Sequence, residues 1–395
     1  MRISTLGFQT SASNQMQSLE SAIAQTQSQL STGLKLQTAA DDPAGMAQVN
    51  QLNAQISASK QFQSNGTALS ANLTIEEQSL TDATNVMQSA RDLAVQANNS
   101  SLTASQRQDI AAQLKQLLQQ LVATANSTDA NGNYLFAGEA SNTVPFAQSG
   151  SSVGYIGSTS VSQVQISPNQ RVSSGDSGAN VFMNIPGGNG TFTTAVGSAN
   201  TGTATVSPGT VVNASQWVPD TYTITFSDAT DYTVTDSGGN TVTSGTYSSP
   251  GAITFNGIST TVSGAPAAGD TFTVAPAGTS SAFNTLSSLI TTLSNPSLSA
   301  AQISTEVGTA LEQIDGAVSN FGLVQASVGA RINAVTAATT SAATQQTTMA
   351  ASVTSIRDVD YAAATTRLST EELALQAAQE SYASIANLSL FNYIK

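Results

Sequence analysis

Residues 307–335 read VGTALEQIDGAVSNFGLVQASVGARINAV, and their spacing decides the architecture. Apolar side chains recur at alternating intervals of four and three, at Val307, Leu311, Ile314, Val318, Phe321, Val328, Ile332 and Val335, with Gln325 holding one place in the series. The register continues through Thr339, Ala342, Gln346, Met349, Val353 and Ile356. A 4-3 pattern kept for about seven heptads predicts a long helix with a coiled-coil seam. At ~1.5 Å per residue the run from Val307 to Ile356 predicts a rod roughly 75 Å long. Gln325, Thr339 and Gln346 weaken the seam and are placed to set its register.

The N-terminal part answers this helix. Met16, Leu19, Ile23, Thr26 and Leu30 form one stripe at helical spacing, and Leu69, Leu73, Glu76, Leu80, Ala83, Met87, Ala90, Ala94 and Ala97 form a longer one. A third helix is predicted from about Ser105 to Ala125, with Ile110, Leu114, Leu117, Leu121 and Val122 on its apolar side. In Ala40-Asp41-Asp42-Pro43, Asp42 suits a helix N-cap and Pro43 the first helical position, where a missing N–H costs nothing. Two adjacent acids are also cation ligands in principle, but a helix start accounts for them more simply.

Between these flanks the composition changes sharply. Residues 145–281 contain no Leu, Glu or Lys and hold most of the Gly and Pro of the chain, which predicts β-structure. Thr221 to Phe226, Tyr232 to Thr235, Thr241 to Thr243, Ala252 to Phe255, Ile258 to Val262 and Thr271 to Val274 read as strands. Asn256-Gly257 is a hairpin turn signal, and so is Asn131-Gly132, which predicts a small hairpin over residues 131–138. The fold class expected is mainly α with an inserted β-domain: an antiparallel helical rod built from both chain ends, carrying a central antiparallel sandwich or barrel. The divisions are residues 1–40 as an N-terminal arm, 41–144 as one half of the rod, 145–281 as the β-insertion, 282–360 as the other half and 361–395 as a C-terminal arm.

Composition removes whole classes of function. With 24 Asp and Glu against 11 Lys and Arg the net charge is −13, and neither Cys nor His is present. That excludes disulfide frameworks, thiol or imidazole catalysis and thiolate zinc sites. A strongly acidic chain also lacks the basic footprint of a nucleic-acid binder. Nothing approaches the ~20 apolar residues of a membrane helix, and no cleavable secretory signal is legible at the N-terminus, which leaves the cytoplasm open as a location. Glu76-Glu77 and Glu371-Glu372 resemble carboxylate pairs, but neighbouring helical residues point about 100° apart. No catalytic, cofactor-binding or metal residue is assigned, no small-molecule substrate is expected, and the chain is read as a non-enzyme. Trp217, beside a strand, is read as core.

Several motifs resemble the flagellin superfamily. Leu30 to Met46 (LSTGLKLQTAADDPAGM), Ser89 to Asn99 (SARDLAVQANN), Val328 to Asn333 (VGARIN) and Ser355 to Tyr361 (SIRDVDY) are similar to segments of that family, in the right order at both ends and over about residues 1–140 and 283–395. The opening Met1 to Thr5, the stretch Asn131 to Gly138 (NGNYLFAG) and the ending Leu388 to Lys395 (LSLFNYIK) move the resemblance from filament flagellin toward the hook-associated protein 3 family. Gly269 to Val274 (GDTFTV) looks like a short module of other hook-associated proteins.

The resemblance implies a structural role at the hook–filament junction of the bacterial flagellum, outside the cell. It implies export without a cleaved signal, guided by an export chaperone. The implied partners are further copies of the chain in a ring of about 11, hook-associated protein 1 and flagellin. It also implies terminal arms that are disordered in the monomer and order on assembly. The residues expected to carry assembly are Leu6, Met16, Leu19, Ile23, Leu30, Leu375, Tyr382, Ile385, Leu388 and Phe391. The rod seam is expected at Leu73, Leu80, Met87, Leu311, Ile314, Val318, Phe321, Val328, Ile332, Val335, Met349, Val353 and Ile356. Two other functions fit the residues: a filament-forming flagellin with an exposed variable β-domain, and, more remotely, an adhesin whose β-tip binds glycan.

Overall fold

The computed structural model describes residues 5–387. Helices α1 (Thr5–Thr32), α2 (Pro43–Ala97) and α3 (Ala104–Ala125) precede the β-rich block, and α4 (Ala282–Ser294), α5 (Ala300–Arg357) and α6 (Tyr361–Asn387) follow it. Caps fix the helix starts. Asp42 Oδ1 accepts the N–H groups of Ala44 and Gly45 at 3.1 and 3.0 Å, so Pro43 does open α2. Thr103 and Gln106 form a capping box on α3, Ser299 and Gln302 do the same on α5, and Asp360 receives the N–H groups of Ala362 and Ala363 on α6. The helical half expected over 282–360 holds two helices, and the second of them contains the whole 4-3 series. Pro296 lacks the N–H that a continuous helix needs, and the chain breaks between α4 and α5.

The exposed helix faces carry many uncharged polar side chains among their few charges. Thr74, Thr336 and Thr348 return their hydroxyls to the carbonyls of Ser70, Ile332 and Thr344, each four residues back. This pattern satisfies the hydroxyls locally and explains how 9% charged residues cover such long helices.

The β-block contains β1 (Phe146–Ser149), β2 (Ser152–Tyr155), β3 (Gln163–Ser167), β4 (Gln170–Ser173), β5 (Ile185–Pro186), β6 (Phe192–Val196), β7 (Thr205–Val206) and β8 (Thr210–Val211). It continues with β9 (Tyr222–Phe226), β10 (Asp231–Thr235), β11 (Thr241–Thr246), β12 (Gly251–Phe255), β13 (Ile258–Ser263), β14 (Thr271–Pro276) and β15 (Thr279–Ser280). Five strands form one antiparallel sheet in the order β11-β10-β9-β14-β6. A second runs β12-β13-β7, with β8 also on β13. Ile224, Phe226, Val234, Phe272 and Val274 of the first share one core with Ile253, Phe255, Ile258 and Val262 of the second, which makes a sandwich. Trp217 packs at its edge against Phe192 and Tyr222. Asn256 and Gly257 both take positive φ, 43° and 76°, in the turn between β12 and β13.

Residues 131–138 are a correction. They form turns with a single bridge between Thr128 and Tyr134 instead of a strand pair. The carboxylate of Asp129 takes the N–H groups of Asn131 and Asn133 and the Asn133 amide, winding the segment too tightly for a ladder.

Packing divides the chain into two units: residues up to 64 with those from 338 onward, and residues 65–337. In the second unit Phe182 meets Phe136, Phe146, Phe283 and Phe321 at ring-centroid distances of 5.2, 5.5, 5.6 and 5.2 Å. These rings come from a turn, β1, a π-helical turn (Ala179–Met183), α4 and α5. They weld the entry of the β-block to the helices, so the composition boundaries at 144 and 281 change secondary structure without separating compact bodies.

Candidate functional site

In the unit formed by residues up to 64 and from 338 onward, α1 packs along α6. Thr26, almost fully buried, donates its hydroxyl to Glu371 Oε2 at 2.9 Å, and Gln29 donates to the Lys35 carbonyl at 3.1 Å. The two interruptions, between α1 and α2 and between α5 and α6, are bonded to each other. Lys35 and Leu36 donate to the Arg357 carbonyl at 2.7 and 3.2 Å, Val359 donates to the Gly33 carbonyl at 2.9 Å, and Leu34 bridges Asp358.

The pair α1 and α6 has a thin core. Met16, Leu19, Ile23 and Leu30 on α1, and Leu375 and Tyr382 on α6, are all half-buried. Ala364 is the one apolar residue described on these two helices that is fully buried, while Leu373 remains 67% exposed. The side chains of Leu6 and Ile385, and residues Leu388 and Phe391, lie outside what is described. The expected arm residues within the described part therefore share one packed pair and keep much of their apolar surface in water.

In the unit of residues 65–337, the second part of α2 and the first part of α5 lie antiparallel. Thr81 accepts from Gln325 at 3.0 Å, Arg91 pairs with Asp315, and Asn98 accepts from Ser304 at 2.8 Å. Leu73, Leu80 and Met87 are fully buried on α2. On α5 the two files of the 4-3 pattern behave differently: Val307, Ile314, Phe321, Val328 and Val335 are buried, whereas Leu311, Val318 and Ile332 are only half-buried. Ala310 and Ala317 are buried beside the first file, so the contact face keeps the seven-residue period and small side chains complete it. Sequence reasoning on the 4-3 series missed these alanines. In the other unit Val353 is buried, Met349 and Ile356 are half-buried, and Gln346 bonds Ser59 and Gln63 at 3.5 and 3.2 Å. The polar seam residues Gln325 and Gln346 are thus partnered.

Glu76 is 1% exposed and is not half of a Glu76–Glu77 pair, since Glu77 faces solvent. Its Oε1 accepts the Asp176 N–H at 2.9 Å, and Asp176 is ion-paired with Arg331. Burial, with the Asp176 charge adding to it and Arg331 opposing, pushes the Glu76 carboxyl up to about 8. Glu312, half-buried on α5 near Asp315, is pushed up to about 7, mainly by burial. Among the described residues no group of three or more acidic side chains is arranged to hold a metal ion, and no helix is long and apolar enough to cross a membrane.

Comparison with known proteins gives this arrangement relatives. Residues 3–141 match the bacterial flagellin N-terminal helical region and residues 311–394 the bacterial flagellin C-terminal helical region. Residues 195–276 match the D2-like domain of flagellar hook-associated protein 1, a stretch that contains the Gly269 to Val274 module. The crystal structure of FlgL from Xanthomonas campestris is similar at 31% identity and a TM-score of 0.72, covering 77% of this chain and 99% of that one. That of flagellar hook-associated protein 3 from Legionella pneumophila is similar at 33% identity and a TM-score of 0.74, covering 78% and 98%. Flagellar hook-associated protein 3 of Salmonella typhimurium is 31% identical over 157 residues, 40% of this chain and 49% of that protein. The chain thus spans about half the length of the curated relatives it matches.

Proposed function

Because this chain belongs to the flagellar hook-associated protein 3 (FlgL) family, we propose that it is the structural adaptor at a bacterial hook–filament junction, joining hook-associated protein 1 to the flagellin filament and assembling as a ring through its terminal helices. The observation that carries this reading is the match to solved FlgL structures along nearly their whole length at above 30% identity. The thin-cored pair α1 and α6 supports the assembly part. A pair with half-buried Leu19, Ile23 and Leu375 gains apolar burial only by packing on a neighbour. Copies of the chain would meet one another through this pair, in a ring of about eleven subunits as the family resemblance implies, with a chaperone guiding export without signal cleavage. No catalysis is assigned to it.

A filament-forming flagellin is the second reading, favoured by the match to both flagellin helical regions. Seeded polymerisation separates the two. Purified chain added to flagellar filament seeds should stop after a short terminal layer if it is an adaptor, and long filaments of it would establish the second reading instead.

A further inference from the structure

Residues 174–178, between β4 and the π-helical turn, run as a strap past α2 and α5. Its ends are held by backbone: Ser174 donates to the Ser162 carbonyl at 2.8 Å and Gly178 to the Phe136 carbonyl at 2.9 Å. Its centre is held by side chains. Glu76 of α2 accepts the Asp176 N–H, Arg331 Nη1 of α5 donates to the Gly175 carbonyl at 3.0 Å, and Arg331 Nη2 pairs with the Asp176 carboxylate.

Two carboxyl groups thus meet one guanidinium. If both are ionised the cluster carries a net negative charge in a place where water does not reach Glu76; with a proton on Glu76 it is neutral. The charged groups acting on Glu76 are Asp176 from the strap and Arg331 from α5, and Glu77 on α2 itself is exposed. At the far end of the strap the Tyr155 hydroxyl lies 3.0 and 2.7 Å from the Phe136 and Ser158 carbonyls, and burial raises its phenol. Arg331 Nε is buried with no hydrogen-bond acceptor among the described residues.

We propose that Glu76, Asp176 and Arg331 form a proton-operated latch: a proton on Glu76 keeps the strap closed over α2 and α5, and its loss places a second negative charge beside Asp176 and frees the strap centre. The device goes beyond the assembly reading and does not depend on it. Its consequence is local. Gly178 sits so close to Phe146 that a Cβ there would lie 2.6 Å from the ring, so a lifted strap uncovers the aromatic cluster around Phe182.

The test is amide hydrogen exchange in the full chain, corrected for intrinsic rates, from pH 6 to pH 9. Protection of Asp176 and its neighbours should fall about tenfold or more across that range in the native chain, on the scale of tenfold per pH unit for one ionising group. Glu76→Gln, which keeps an acceptor and a donor without charge, should hold protection level, and β9 amides should hold level in both. Equal falls in native chain and variant, or no fall in the native chain, would overturn the latch. Should the variant not fold, the native Glu76 carboxyl carbon resonance decides. Titration above pH 7 in step with the strap amides supports the latch, and titration in the ordinary carboxylate range overturns it.

Discussion

The Gly33 carbonyl accepts the Val359 N–H at 2.9 Å, joining the break between α1 and α2 to the break between α5 and α6. Gly33 holds φ +72°, and a Cβ at that position would lie 2.9 Å from the Tyr361 hydroxyl oxygen. Gly33→Ala should therefore cost about 1–2 kcal/mol through the left-handed backbone alone. Tyr361→Phe in the same chain should recover only the steric part. Protection of the Val359 amide against exchange reads both.

The pair of α1 and α6 should be the first part to open. With Thr26, Gln29 and Ala364 as its buried residues and its large apolar side chains half-exposed, it has little to hold it closed. Limited proteolysis of purified chain should trim both ends and leave a product containing residues 65–337. Ends that resist as long as the middle would show that the pair is stable without neighbours.

Phe182 should be the costliest single truncation in the unit of residues 65–337. Four phenylalanine rings surround it and it is fully buried, so Phe182→Ala should lose about 3–5 kcal/mol. By contrast Arg91→Ala, which removes an exposed ion pair with Asp315, should leave the thermal midpoint nearly unmoved despite its 2.6 Å contact.

Glu312 should make stability depend on pH. Its carboxyl is raised in the fold to about 7, so the unfolded chain loses that proton first as pH rises from the ordinary carboxylate range. The stabilisation is present in acid and is lost progressively up to about pH 7. Glu312→Gln should melt higher than the native chain at pH 8, with the difference vanishing toward pH 4.

The 4-3 series, the Asp42-Pro43 start and the alternation of Tyr222, Ile224 and Phe226 made the fold class legible, because helix and strand periods are written into single segments. What lay hidden was long-range. Glu76 looked like one seam residue among apolar ones, and nothing in its neighbourhood names Asp176, a hundred positions on. The VGARIN motif contained Arg331 without revealing its partner. Asn131-Gly132 carried a true turn signal, but Asp129, two residues earlier, turned the backbone into a local hydrogen-bonded knot. The aromatic weld was likewise invisible, since its five rings come from five separate segments.

The central claim is that this chain attaches filament to hook through its terminal helices. The direct measurement is the fraction of hooks bearing filaments, counted in electron micrographs of a strain lacking the protein and complemented by native chain or by Leu19→Asp. The account predicts bare hooks with flagellin in the medium for the deletion, filaments restored by the native chain, and bare hooks again with Leu19→Asp. Filaments still attached in the deletion strain, or restored by Leu19→Asp as fully as by the native chain, would contradict it.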